Sequence, residues 1–298
     1  MAVAELTKDA DLTPENTSRF VQTKKWRLHY NEAGTGHPII MLHGAGPGAS
    51  GWSNFNGNIR TLSKKYRVIL MDFPGFNLSD ELDPAKEPRW TANAEAVKLL
   101  MDELGIEKAA LVGNSMGGMA TMMFATLYND RLSHLVTMGS PSPAGPPAFF
   151  APGPGLSEGM KALVGAYHDP SPEGFRKLVN LMVYDDSFAT DALIKQRSEA
   201  ALGNPRHIAN WVAGLRAHAQ PHPDVEALGA RLANVQTPAL IMHGRDDRVV
   251  SVEHSLRTAA ILPNSQLLVF NRCGHWAQVE HAKTFNGILD GFIASTLS

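Results

Sequence analysis

The chain has almost no cysteine, no excess of either charge and no long apolar run. Its single cysteine, Cys273, excludes an intrachain disulfide and suits a reducing compartment. Lys and Arg number 27 against 29 Asp and Glu, a net charge of −2. That balance provides neither the basic face that grips nucleic acid nor a polybasic patch for a membrane surface. No stretch reaches the roughly 18 apolar residues of a membrane span. Met1 to Phe20 is polar and charged and lacks the apolar centre of a secretory signal. Metal and phosphate patterns are missing too. There is no His-Glu-x-x-His, no paired cysteine and no Gly-Lys-Ser/Thr, and Pro221 interrupts His218 and His222. These absences lead us to expect a cytoplasmic protein with a small-molecule partner, no cofactor, and no nucleic acid or membrane partner.

What is present is a chain able to bury a core, with 44% hydrophobic and 19% charged residues. Short apolar runs recur at Pro38 to Leu42, Arg67 to Asp72, Ala109 to Val112, Leu135 to Met138, Ala239 to Met242 and Gln266 to Phe270. They are continuous rather than alternating, which predicts strands buried on both faces. Helical patterns lie between them. Val97, Leu100, Met101 and Leu104 fall at i, i+3, i+4 and i+7, with Gly105 as a stop, and Gly117 to Tyr128 reads as a long helix. Strands alternating with helices predict an α/β class with a mostly parallel sheet.

The middle departs from that order. Pro141 to Gly155 holds six prolines and three glycines, a composition that regular structure does not tolerate. Leu156 to Arg216 is helical in pattern, with Phe175, Leu178, Val179 and Met182 on one face, and His222-Pro223-Asp224 marks a second break. The expected organisation is a core in two parts, 1–145 and 220–298, interrupted by a helical lid at 146–219. Phe149, Phe150, Leu156, Met160, Phe175, Val179 and Trp211 are candidates to line a pocket under that lid.

The strongest motif is Gly113-Asn114-Ser115-Met116-Gly117. A strand pattern precedes it and a helical pattern follows, the setting a nucleophile elbow requires. A serine hydroxyl needs a base, and the base needs an orienting carboxylate, in the chain order Ser, acid, His. Gly244-Arg245-Asp246-Asp247 follows one strand and Cys273-Gly274-His275-Trp276 follows the last. Asp247 is preferred over Asp246, because the usual hydrolase pattern puts the acid three residues after the glycine. His275 is one of twelve histidines, singled out by its place after the last strand. His43-Gly44-Ala45-Gly46-Pro47-Gly48 reads as an oxyanion loop, with Ala45 and Met116 as the expected backbone donors. Cys273 reads as a packing residue.

These segments, with Trp52-Ser53-Asn54 after the glycine loop and Ala277-Gln278 after the histidine, resemble the meta-cleavage-product hydrolases. Those are the C–C bond hydrolases of the α/β-hydrolase superfamily, and the nearest likeness is to the biphenyl and dibenzofuran branch. The resemblance implies an α/β-hydrolase fold, a 2-hydroxy-6-oxohexa-2,4-dienoate substrate, the phenyl compound among them, and a homo-oligomer of at least two subunits. It also implies roles: Ser115, Asp247 and His275 as a triad, Arg197 as the partner of the substrate carboxylate, and Asn54, Asn114 and Trp276 around the dienolate end. Two positions depart from the family pattern. Ser251 stands where proline is common, and Val249 is small where the aryl-type branch often has an aromatic residue, which implies extra room for substituted rings. The competing readings are a carboxylesterase or lactonase using the same three residues, and a small-molecule receptor on a hydrolase scaffold. One fold hosts many chemistries, so fold likeness does not separate them.

Overall fold

In the computed structural model, residues 12–83, 86–143, 155–217 and 227–297 are described. A short helix α1 (Pro14–Thr17), closed by a capping box at Thr13, leads into β1 (Ser18–Gln22) and β2 (Arg27–Ala33). Then follow β3 (Pro38–Leu42), α2 (Gly51–Leu62), β4 (Arg67–Met71), α3 (Arg89–Glu103), β5 (Ala109–Asn114), α4 (Met116–Leu127) and β6 (Leu132–Met138). Four helices come next: α5 (Glu158–His168), α6 (Pro172–Met182), α7 (Asp191–Leu202) and α8 (Pro205–Ala217). The chain returns through α9 (Leu228–Leu232) to β7 (Ala239–Gly244), α10 (Glu253–Ile261), β8 (Ser265–Phe270), α11 (Ala277–Glu280) and α12 (Ala282–Thr296).

The eight strands form one sheet in the order β1-β2-β4-β3-β5-β6-β7-β8. From β4 onward every pair is parallel; β1 and β2 pair antiparallel, with Ser18 opposite Asn31, and β2 pairs antiparallel with β4. Strands β5 and β7 are buried at every position, as continuous apolar runs between two helical layers require. The expectation of burial on both faces fails at β8. It is an edge strand of mixed exposure, because no strand lies beyond it to cover its flank.

The helical run from 156 to 216 is not one element. Ser157, Ser171 and Thr190 each cap a new helix with a side-chain oxygen, so the segment folds as a stack. The stack sits between β6 and β7 in the chain and has its own apolar cluster, in which Leu163, Phe175, Leu178, Val179 and Ile194 pack against Val249 and Trp276 of the core. The expected lid limits at 145/146 and 219/220 lie outside the described residues, as do Phe149, Phe150, His218 and His222.

Candidate active site

Three strand ends build the site. At the end of β5, Ser115 has φ 54° and ψ −111°, a left-handed conformation that a serine holds only when its surroundings impose it. The flanking glycines are steric necessities. A Cβ on Gly113 would overlap the Gly117 carbonyl, and one on Gly117 would overlap the Leu42 carbonyl of β3. The turn is held by the Ser115 N–H donating to the Met138 carbonyl (2.9 Å) and by the Ser140 hydroxyl donating to the Ser115 carbonyl (3.0 Å). Met116 is the first residue of α4, so its N–H is one of the orphan donors of a helix start.

Past β7, Asp247 is fully buried and heavily bonded. One carboxylate oxygen accepts from the N–H groups of Val249 (2.7 Å) and Val250 (2.9 Å). The other lies 2.7 Å from His275 Nδ1 and 3.2 Å from His243 Nε2. Burial pushes its pKa up, but the two histidines and their hydrogen bonds outweigh that and hold the carboxyl well below the usual range. Asp246 instead lies against Arg245 and the Cys273 N–H. The geometry therefore pairs Asp247, not Asp246, with His275. Because a carboxylate only accepts, His275 Nδ1 carries the proton and Nε2 is left as the basic nitrogen. The Ser115 hydroxyl takes no hydrogen-bond partner among the described residues.

After β3, the glycine loop is anchored by His43, which is fully buried. Its Nε2 accepts from the Phe73 N–H (3.1 Å), so Nδ1 is protonated and donates to the Gly44 carbonyl (2.9 Å). Burial lowers its pKa to about 4, which keeps the ring neutral. A Cβ on Gly44 would stand 3.4 Å from Ser115 Cβ, so this loop passes directly over the elbow.

A cleft of about 400 Å³, including its mouth, opens between core and helical stack. One part of its wall carries Ala45, Asn54, Asn114, Arg197, His275 and Trp276. The rest is apolar, from Phe175, Leu178, Val179 and Met182 on the face of α6. Ser115 and Met116 are not in the lining, although Gly44 and Asn114 beside them are.

Arg197 is 7% exposed. It reaches from α7 to donate through Nη2 to the Ser53 carbonyl (3.0 Å), and its guanidinium lies 5.3 Å from the Trp276 ring centre. Among the described residues its Nε has no hydrogen-bond partner and no carboxylate pairs with it. Desolvation lowers its pKa to about 10, so it stays charged at neutral pH. Asn114 donates to the Met138 and His275 carbonyls (both 3.3 Å), while its Oδ1 is buried and unpartnered. Asn54 Oδ1 faces the Gly44 N–H at 3.5 Å, and its amide donates to the Ser50 carbonyl.

Several candidates fall elsewhere. Leu156 is 51% exposed. Trp211 stacks on Tyr167 at 5.2 Å between ring centres and meets Phe76 edge-on. Val249 gives no room to the cleft, because Gly159 of α5 packs directly against it and no side chain fits between them. Sequence reasoning quoted His43 and Ser53 within their motifs without giving either a role, and passed over His243. His243 donates from Nε2 toward Asp247 and the Val250 carbonyl and accepts from Ser255 at Nδ1. The available signal was its place at the end of β7, one residue before Gly244.

Comparison with known proteins places this geometry. Residues 37–282 match the family described as alpha/beta hydrolase fold. The chain is 42% identical to a 2-hydroxy-6-oxononadienedioate/2-hydroxy-6-oxononatrienedioate hydrolase of Cupriavidus pinatubonensis, over 95% of this chain and 98% of that one. It is also 42% identical to a 2-hydroxy-6-oxo-6-phenylhexa-2,4-dienoate hydrolase of Burkholderia cepacia, over 96% and 99%. Among solved structures, the meta-cleavage product hydrolase of Pseudomonas fluorescens superposes with a TM-score of 0.79 at 31% identity, over 93% of this chain and 97% of that one. The chain therefore belongs to the α/β hydrolases and, within them, groups with the meta-cleavage-product hydrolases, serine-type enzymes that act on carbon–carbon bonds.

Proposed function

We propose that the protein hydrolyses the C5–C6 bond of 2-hydroxy-6-oxohexa-2,4-dienoates that carry an apolar group at C6, the phenyl compound among them. The observation that carries this reading is the mixed wall of the cleft. It holds a buried cation that has no acidic partner among the described residues, together with the apolar side chains of Phe175, Leu178, Val179 and Met182. A buried unpaired charge is costly unless a ligand supplies its counter-ion. The dienoate carboxylate does so, and two guanidinium N–H groups match its two oxygens. Several relatives are named for a nonadienedioate, which has a second carboxylate at its far end. Among the described residues Arg197 is the one arginine or lysine in the cleft wall, so a second carboxylate would be buried against apolar side chains.

The reaction follows from this placement. Ketonisation moves the 2-hydroxyl proton to C5, so that the electrons of the C5–C6 bond can later flow through C4 and C3 into the C2 carbonyl. His275 Nε2, oriented by Asp247, is the base that moves protons. The Ala45 and Met116 N–H groups stabilise charge on the C6 oxygen. The acyl carbon takes the hydroxyl of water, either through Ser115 or directly, and the dienolate leaves as 2-hydroxypenta-2,4-dienoate. With a phenyl substituent the acid is benzoate. Asn54, Asn114 and Trp276 enclose the dienolate end. The cytosol and a homo-oligomeric state fit this reading, as does the lack of any helix, among the described residues, long and apolar enough to cross a membrane.

The test compares kcat/KM for the phenyl dienoate and the nonadienedioate on the same preparation. The reading expects the phenyl compound to be preferred at least tenfold. Equal rates, or preference for the dicarboxylate, would overturn the substituent assignment. Turnover of neutral aryl esters alone would move the protein to the esterase reading.

A further inference from the structure

Arg197 borders two cavities. The second is lined by different residues and has about 860 Å³ of open space, including its mouth. Its wall combines the start of β1, the middle of β2, the loops before α2 and after β4, and the outer face of α7. Within it lies a relay, in which Ser18 Oγ is 2.9 Å from His29 Nε2 and His29 Nδ1 is 2.6 Å from Asp72 Oδ2. Asp72 is fully buried behind that histidine and also accepts from Asn77 Nδ2 (2.6 Å) and the Gly51 N–H (2.7 Å). Its charge is thus enclosed by donors and does not face the cavity. Among the described residues Glu15 is the one acid in the lining, and it is exposed. Among the same residues Arg197 is the one arginine or lysine there.

The donor arithmetic favours a second anion. A guanidinium has five N–H donors. One is held by the Ser53 carbonyl, a bidentate carboxylate in the catalytic cleft takes two, and Nε is itself buried, which leaves an Nη hydrogen for a second anion.

We propose that the second cavity binds a small monocarboxylate, and that its occupant shares Arg197 with the dienoate in the catalytic cleft. The coupling between the two occupants rests on the proposed function above; the binding itself does not. The ligand class includes the acid that the reaction releases. Two anions on one cation weaken each other, and the effect is reciprocal. Product would then accumulate on the cation that the next substrate needs.

The probe is 4-fluorobenzoate, followed by fluorine NMR with the whole protein. Two bound environments are expected in the wild type. Gln196→Glu and Leu78→Asp place a negative charge at exposed positions that line only the second cavity. Each should weaken one environment at least fivefold and leave the other within twofold. Arg197→Met should weaken both. No bound environment in the wild type, or one or two environments that neither rim variant weakens, would overturn the proposal. The kinetic arm measures the rise in dienoate KM caused by fluorobenzoate, which should be smaller in Gln196→Glu than in wild type; an equal rise would overturn the sharing of Arg197. The two readings fail separately. A rim-sensitive environment without dienoate turnover would sink only the proposed function, whereas turnover with no rim-sensitive environment would sink only the second site.

Discussion

Replacing Arg197 by methionine should lower activity without lowering stability. Methionine keeps the apolar stem of the side chain, but removes the guanidinium with its contact to Trp276 and a charge that has no acidic partner among the described residues. With its pKa near 10 the guanidinium is ionised at neutral pH, and burial is what lowers it. Truncating one partner of a buried charge pair costs about 2–5 kcal/mol. At about 1.36 kcal/mol per decade, that is roughly a 30-fold to several-thousand-fold loss in kcat/KM for the dienoate. KM should rise because the carboxylate anchor is lost, and kcat should fall because the dienolate is no longer aligned with His275. Stability should not follow. Removing a desolvated, unpaired cation relieves a penalty of several kcal/mol, against the loss of about 1–3 kcal/mol for the Ser53 carbonyl left without a donor. The melting temperature is therefore expected to stay level or rise. The assay follows the dienoate absorbance for kcat and KM, with thermal unfolding on the same samples. A variant that keeps kcat/KM within threefold of wild type, or is less stable than wild type by more than about 2 kcal/mol, would refute the reasoning.

Other positions make separate predictions. Asp247→Asn should lower kcat by about 10⁴, as for other triad carboxylates, with little change in KM; a loss under tenfold would show that His275 does not depend on it. Stability should drop on acidification, because His43 has a folded pKa of about 4 against about 6.5 unfolded. The unfolded state binds the proton first, so stability is full above pH 6.5 and is lost as pH falls toward 4. At pH 5 this amounts to about 2 kcal/mol for His43, and His207, lowered to about 3 by burial, acts in the same direction. Urea midpoints that do not change between pH 7 and pH 5 would contradict it. Val249→Phe should destabilise by about 1–3 kcal/mol through overpacking against Gly159, where a purely pocket-facing residue would leave the melting temperature unchanged.

Much of the fold was legible because β3 to β7 are fully or nearly fully buried, so each carries a run of mostly apolar residues. Strand β2 was not legible. His29, Asn31 and Glu32 are buried in it with partners that only the fold supplies: Asp72, Thr17 and Arg67. Helix α2 was missed for another reason. Its twelve residues include two glycines and three asparagines, poor helix formers. It forms because Ser50 and Ser53 make a capping box and because Phe55, Ile59 and Leu62 are buried. At the site, residues just past strand ends could be located from order alone. Arg197 could not, since nothing in the local pattern of α7 distinguishes it from a surface arginine. Only the resemblance suggested a role, and only the fold shows its burial. Val249 shows the opposite limit. A small side chain reads as open space, but the space is taken by a glycine from a helix ninety residues earlier in the chain.

The central claim is carbon–carbon cleavage by this site, and the colour of a phenyl-substituted dienoate tests it most directly. Wild-type protein should bleach the compound and release benzoate and 2-hydroxypenta-2,4-dienoate in equal amounts, while Ser115→Ala at the same concentration should bleach it at least a thousandfold more slowly. Unchanged colour with wild type, or bleaching that yields no benzoate, would contradict the account.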